Sequence, residues 1–232
     1  MKTEAGYERT NRTGIRFHRE VLTTMLEGTE EFGPTSQGSA QTIAEVRIRY
    51  AKEAEPTGSM PRSEKVSAEQ LPLLDKLGAR LAFERTGTRL YEALISKHDA
   101  YGTFAGGPNR HDLQHIHDEE HAHFKMVQEI IGQLGGDPTV VTPQANLQLT
   151  ASKGILDVLV DPRTNLLECL ETIVIAELAD HESWRSLAAQ VRESGPKDLL
   201  EKIEKAGRTE QDHLDKIRSW ILAGNRTRTE RW

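Results

Sequence analysis

The sequence predicts an all-α fold: an antiparallel four-helix bundle, with a long crossover between its second and third helices and an N-terminal extension. Two observations carry this. Four long segments between residue 67 and residue 223 repeat apolar residues at steps of three and four, the period of a helix with one buried face. They are joined by a short, then a long, then a short connection, the pattern of an up-down bundle with one crossover. A third observation concerns chemistry. Each stripe is interrupted by a glutamate, and two of the glutamates belong to Glu-x-x-His pairs.

Residues 1–66 form the extension. They are rich in Thr, Glu, Gly and Arg and poor in large apolar residues. The stretch 19–28 offers a short helix through Val21, Leu22, Met25 and Leu26, and 41–55 offers a second, although its period-two steps also allow a strand. The run 56–63, with two prolines and a glycine, breaks the chain. This extension is expected to pack on the bundle or on a neighbouring subunit of a homodimer, with disorder as the alternative, and to supply no ligand.

The bundle is expected over 67–223. Ser67 suits an N-cap and Glu69 places negative charge in the first turn. The first helix then runs to about Ala100 along Leu74, Leu77, Leu81, Thr88, Tyr91 and Ile95, with Glu84 on the stripe. After the loop 101–109, the second helix runs over 110–134 to the Gly135-Gly136 stop. Its stripe is Leu113, Ile116, Val127, Ile130 and Leu134, with Glu120 and His123 between. Residues 135–163 are too long for a tight turn; 135–146 reads as extended or looped, and a short helix is expected within 147–160. The third helix, 164–194, carries Leu167, Leu170, Val174, Trp184 and Ala188, with Glu177 among them. Gly195-Pro196 breaks the chain, and the fourth helix, 197–223, carries Leu199, Ile203, Ala206, Ile217 and Trp220 around Glu210 and His213. Gly224 is expected to end it, leaving 224–232 as a polar tail.

Composition narrows the function classes. A net charge of −6 opposes binding to nucleic acid or to an anionic membrane. No stretch approaches the roughly 18 apolar residues of a membrane span, and the N-terminus lacks the apolar run of a secretory signal, so a cytoplasmic location is expected. The single cysteine, Cys169, excludes an internal disulfide framework and a thiolate cluster, and it reads as a small core residue. Buried charge is costly unless paired or bound to metal. Four glutamates on four core stripes therefore point to a site for two cations.

These residues resemble the ferritin-like superfamily of carboxylate-bridged di-iron and di-manganese proteins. Its pattern is Glu, Glu-x-x-His, Glu, Glu-x-x-His on successive helices, matched here by Glu84, Glu120 with His123, Glu177, and Glu210 with His213. Tyr91, seven residues after Glu84, resembles the buried tyrosine of many members and is the candidate catalytic residue. The resemblance implies two iron ions, with manganese or a mixed iron–manganese pair as the alternative. It implies oxidation of Fe(II) by oxygen or hydrogen peroxide, with a separate electron donor as a further partner. A non-catalytic structural or stress-protective bundle and manganese-dependent peroxide disproportionation are the other readings. The single cysteine excludes a rubrerythrin-like four-cysteine iron site in this chain.

Several neighbours need placing. His181, four residues after Glu177, is open to three roles: an extra ligand, a proton donor behind the ligands, or a core histidine. Asp180 is a candidate acceptor for the second ring nitrogen of a ligand histidine. His117 is the one of the three rim histidines His115, His117 and His121 best placed to join the site. Glu119 is expected off the site face, and Glu171 is a poorer alternative to Glu177.

Overall fold

A computed structural model describes residues 66–229. The expectations for the extension and for the last three residues lie outside this range. Among the described residues the chain is all-helical, with no strand. A 3-10 turn, Ala68–Gln70, leads into α1 (Leu71–Tyr101), followed by α2 (Arg110–Gln133), α3 (Pro143–Val160), α4 (Leu166–Ser194) and α5 (Lys197–Thr229). None of these helices is long and apolar enough to cross a membrane.

Local chemistry explains the helix boundaries. Pro72 falls in the first turn of α1, where its missing N–H costs nothing. Gly102, at φ 74°, ends that helix and donates its N–H to the His98 carbonyl at 2.8 Å. Asn109 and Asp112 cap α2 reciprocally: Asn109 Oδ1 accepts from the Asp112 N–H at 2.9 Å, and Asp112 Oδ2 accepts from the Asn109 N–H at 3.0 Å. Asn165 and Glu168 repeat the arrangement at α4.

Two elements differ from the sequence reading. The helix in the crossover begins at Pro143 rather than within 147–160. Its first turn is held by α1: Asp75 Oδ1 accepts the Gln144 N–H at 3.0 Å, and the Thr142 hydroxyl donates to the Asp75 carbonyl at 3.0 Å. Thr142 sits against Gly78, where any Cβ would collide with it. The last helix does not stop at Gly224 but continues to Thr229. Gly224 serves close packing instead, since a Cβ there would lie 2.5 Å from Leu167 Cδ1 and 3.0 Å from the Phe104 ring.

The contacts fix the directions of the helices. Asp99 meets Arg110 across the first hairpin at 3.2 Å, and Arg192 meets Glu204 across the last at 2.6 Å. Asp75 near the start of α1 holds the start of α3, while Lys97 near its end donates to the Asp161 carbonyl that follows α3. The crossover thus runs parallel to α1 along its length. Lys97 also donates to the Thr164 carbonyl ahead of α4 at 2.8 Å, whereas Arg80 in the first third of α1 meets Asp180 at the middle of α4. α1 and α4 are therefore antiparallel, and α2 and α4 point the same way.

The core is divided in two. One apolar cluster contains Leu90, Leu94, Leu113, Ile116, Leu170, Ile173, Ile217 and Trp220. The other contains Leu74, Leu77, Leu81, Val127, Ile130, Trp184, Leu187 and Ile203. On all four long helices the glutamates and histidines of the stripes fall between these two clusters.

Candidate metal centre

The structure brings together all six residues that the sequence places on the inner face. Glu84, Glu120, His123, Glu177, Glu210 and His213 are all buried. Ligand atoms of Glu120, Glu177, Glu210 and His213 lie within 4.8 Å of one another, and so do those of Glu84, His123 and Glu210. The two groups share Glu210. A third group, Glu84, Glu120 and Asp180, joins them from the side.

Helix spacing produces this convergence. Residues three apart lie on one face, so Glu120 with His123, and Glu210 with His213, enter the centre as pairs. Room for Glu120 comes from α1: a Cβ on Gly87 would collide with Glu120 Oε2. Glu84 and Glu177 are each held through one oxygen. Tyr91 donates its hydroxyl proton to Glu177 Oε1. Arg80 donates from Nε at 3.1 Å and from Nη2 at 2.6 Å to Glu84 Oε1. The second oxygens, Glu84 Oε2 and Glu177 Oε2, have no hydrogen-bond partner among the described residues.

The fit to cations rests on these orphaned atoms. Six buried side-chain polar atoms lack a hydrogen-bond partner among the described residues, and five are Glu84 Oε2, Glu120 Oε2, His123 Nδ1, Glu177 Oε2 and Glu210 Oε1. Such atoms are costly to bury and few in native proteins. His123 Nδ1 approaches Glu210 Oε1 to 2.6 Å, yet the two do not form a well-directed hydrogen bond. Oxygen and imidazole donors of this kind suit iron, manganese or zinc. Charge agrees as well. The four glutamates and Asp180 carry five negative charges when ionised, Arg80 cancels one, and two divalent ions cancel the remaining four.

Without cations, burial and mutual repulsion shift the carboxylates toward their protonated forms. Burial, reinforced by Asp180, pushes Glu84 well above the usual carboxylate range. Burial acts in the same way on Glu120, with Glu210 as the next cause, and on Glu210, with Asp180 next. Burial also pushes Glu177 up to about 7, against opposing pulls from His213 and Tyr91. The Tyr91 hydroxyl is raised well above its ordinary value by burial and by Glu177, so it remains a proton donor. The histidines diverge. Burial lowers His123. Burial opposes protonation of His213 too, but hydrogen bonds to Glu119, Glu120 and Glu210 outweigh it and raise His213.

The remaining candidates settle into other places. Asp180 does not accept from a ligand histidine; it pairs with Arg80. The acceptor for His213 is Glu119, whose Oε2 lies 2.9 Å from Nε2. The residue expected off the site face thus stands directly behind a ligand histidine. His181 is half-buried, belongs to none of the three ligand groups, and lines a groove with Trp184, Gly207 and Gln211. His117 is outside these groups as well and faces Asp118 at 2.9 Å and Glu92 at 3.7 Å. Glu171 is exposed, and Cys169 is fully buried in the apolar cluster.

Arg80 escapes a reading based on apolar spacing, although a signal for it exists. It stands four residues before Glu84 beside Leu77 and Leu81, on the stripe itself. Its guanidinium lies 5.1 Å from the Phe83 ring centre and 5.0 Å from that of Trp184. Comparison of the chain with known protein families, curated proteins and solved structures finds no match to any of them.

Proposed function

We propose that this protein is a ferritin-like di-iron carboxylate protein that oxidises Fe(II) with oxygen or hydrogen peroxide. The observation that carries the reading is the set of five orphaned donor atoms converging from four helices, between two apolar clusters. Glu84 and His123 would hold one ion and Glu177 and His213 the other, with Glu120 and Glu210 between them. Such a pair would supply, one from each ion, the two electrons that reduce peroxide to water with uptake of two protons.

The chain's own groups support that chemistry. Glu210 belongs to both principal groups, so it would serve both ions. Tyr91 keeps a proton on its hydroxyl, against Glu177. Glu119 accepts from His213 Nε2, which leaves Nδ1 facing the glutamates and makes it a stronger donor. Leu81 and Trp184 on one side, and Leu90, Ile116 and Ile173 on the other, exclude bulk water and strengthen every charge interaction within.

The test is anaerobic loading with two Fe(II) per chain, followed by rapid mixing with oxygen or peroxide. Fast formation of Fe(III), lost in Glu84→Ala and His213→Ala, is the expected result. Oxidation no faster than in protein-free buffer would overturn the assignment and leave a metal-holding structural protein.

A further inference from the structure

The centre contains a positive charge of its own. Arg80 is 2% exposed, its Nη2 reaches both Glu84 Oε1 and Asp180 Oδ1, and its guanidinium lies near the rings of both Phe83 and Trp184. Carboxylate oxygens of Glu84, Glu120 and Asp180 also lie within 4.8 Å of one another, the limit that the two principal groups meet. By donor type and spacing they form a third cation position. Two of its three members are already bound to Arg80.

We propose that Arg80 is a built-in counter-cation occupying this third position, and that it limits the centre to two ions. The inference rests on the metal-binding reading above. Asp180 then has a defined role: it cancels the charge of Arg80, so that Glu84 can still serve an ion through Oε2. A guanidinium suits the task because it stays charged at all working pH values and cannot dissociate from the chain. Arg80 itself stands between this position and a cavity on the protein surface. It lines this cavity of about 440 Å³ with Lys76, Gln144, Gln148 and Ser183, through which a hydrated ion could enter if the arginine were shortened.

The test is ion stoichiometry and stepwise affinity, measured with Mn(II) and Co(II) by elemental analysis and calorimetry on the full chain. The wild-type protein is expected to bind two ions. Arg80→Gln should bind close to three, and Arg80→Lys, which keeps the charge, should remain at two. Arg80→Gln/Asp180→Asn should return to two, because the extra position has lost a carboxylate. Asp180→Asn alone leaves Arg80 uncancelled beside Glu84. It should weaken one ion about tenfold or more and the other by less than about threefold, and adding Arg80→Gln should restore the weakened ion. That restoration separates an electrostatic role from a merely structural one, and it keeps the proposal testable if Arg80→Gln alone does not fold.

Two ions in both wild type and Arg80→Gln, or weakening by Asp180→Asn that the second substitution does not restore, would overturn the counter-cation while leaving the two-ion centre intact. Absence of metal from the wild-type protein would overturn both.

Discussion

The two Glu-x-x-His pairs are built alike but their histidines differ. His123 lies edge-on to Trp184, with ring centres 5.6 Å apart, and burial drives it toward the neutral form. His213 is backed by Glu119, and three carboxylates favour its proton. The glutamates opposite them differ in the same sense. Glu84 is held by the charged Arg80 and Glu177 by the neutral Tyr91. One half of the centre thus has an arginine behind its glutamate, and the other has a carboxylate behind its histidine. Spacing on a helix brings a side chain to the site, but neighbours from other helices decide its charge.

The largest expected effect falls on the residue that the two halves share. Glu210→Ala should reduce bound metal from about two ions per chain to well below one, as measured by elemental analysis. Glu171→Ala, on the exposed face of α4, is the control and should lose none. Equal losses would break the comparison by showing that neither half is a site.

Glu119→Gln tests the asymmetry directly. It should weaken one ion about 10- to 100-fold, the usual cost of removing a group that orients a ligand histidine. The ion beside His123 should change by less than about threefold in the same titration. Uniform weakening of both ions would mean that the halves act as one unit.

Stability against pH follows from the same groups. In chelator-treated protein Glu177 titrates near 7 when folded and near 4.5 when unfolded. The folded chain therefore holds the extra proton between these values, and stability falls as pH rises through that window. Glu84, Glu120 and Glu210 shift in the same direction. His213, also raised, adds stability below its unfolded value of 6.5 that is lost as pH rises toward its folded value. His123, lowered, opposes them only below 6.5. Thermal melts should show the metal-free protein less stable at pH 8 than at pH 6, with the deficit removed by two equivalents of divalent ion. A metal-free protein that gains stability over that range would contradict the buried, protonated centre.

The smallest effects belong to the periphery. Tyr91→Phe removes one buried hydrogen bond and should cost about 1 kcal/mol in denaturant unfolding. His181→Ala should leave ion stoichiometry unchanged. Loss of an ion there would place His181 among the ligands after all.

Much of this arrangement is legible in the sequence, because it depends on short-range periodicity. Glu84, Glu120, His123, Glu177, Glu210 and His213 each break an apolar stripe, and Tyr91 follows Glu84 at two turns. What the sequence hides depends on contacts across helices. Glu119 meets a histidine 94 positions away, and Asp180 meets an arginine 100 positions away. The early start of α3 rests partly on a local signal, Thr142 as N-cap ahead of Pro143, and partly on Asp75, which serves its first turn from another helix. Gly224 misleads because glycine both ends helices and permits close packing, and the choice is made by Leu167 and Phe104.

The cap that α1 lends to α3 also bears on the order of folding. The Gln144 N–H finds its acceptor only where Asp75 is already in place. At synthesis α1 and α2 are made first, so this acceptor precedes the segment that uses it. An isolated peptide spanning 143–160 lacks the acceptor, and at 18 residues it has only marginal helicity of its own in water. A circular permutant that begins at residue 138 and carries α1 and α2 at its C-terminal end reverses the sequence of events. Its crossover emerges with its own Thr142 cap on the Ala145 N–H but before Asp75, so the Gln144 N–H must wait for its acceptor until α1 is made.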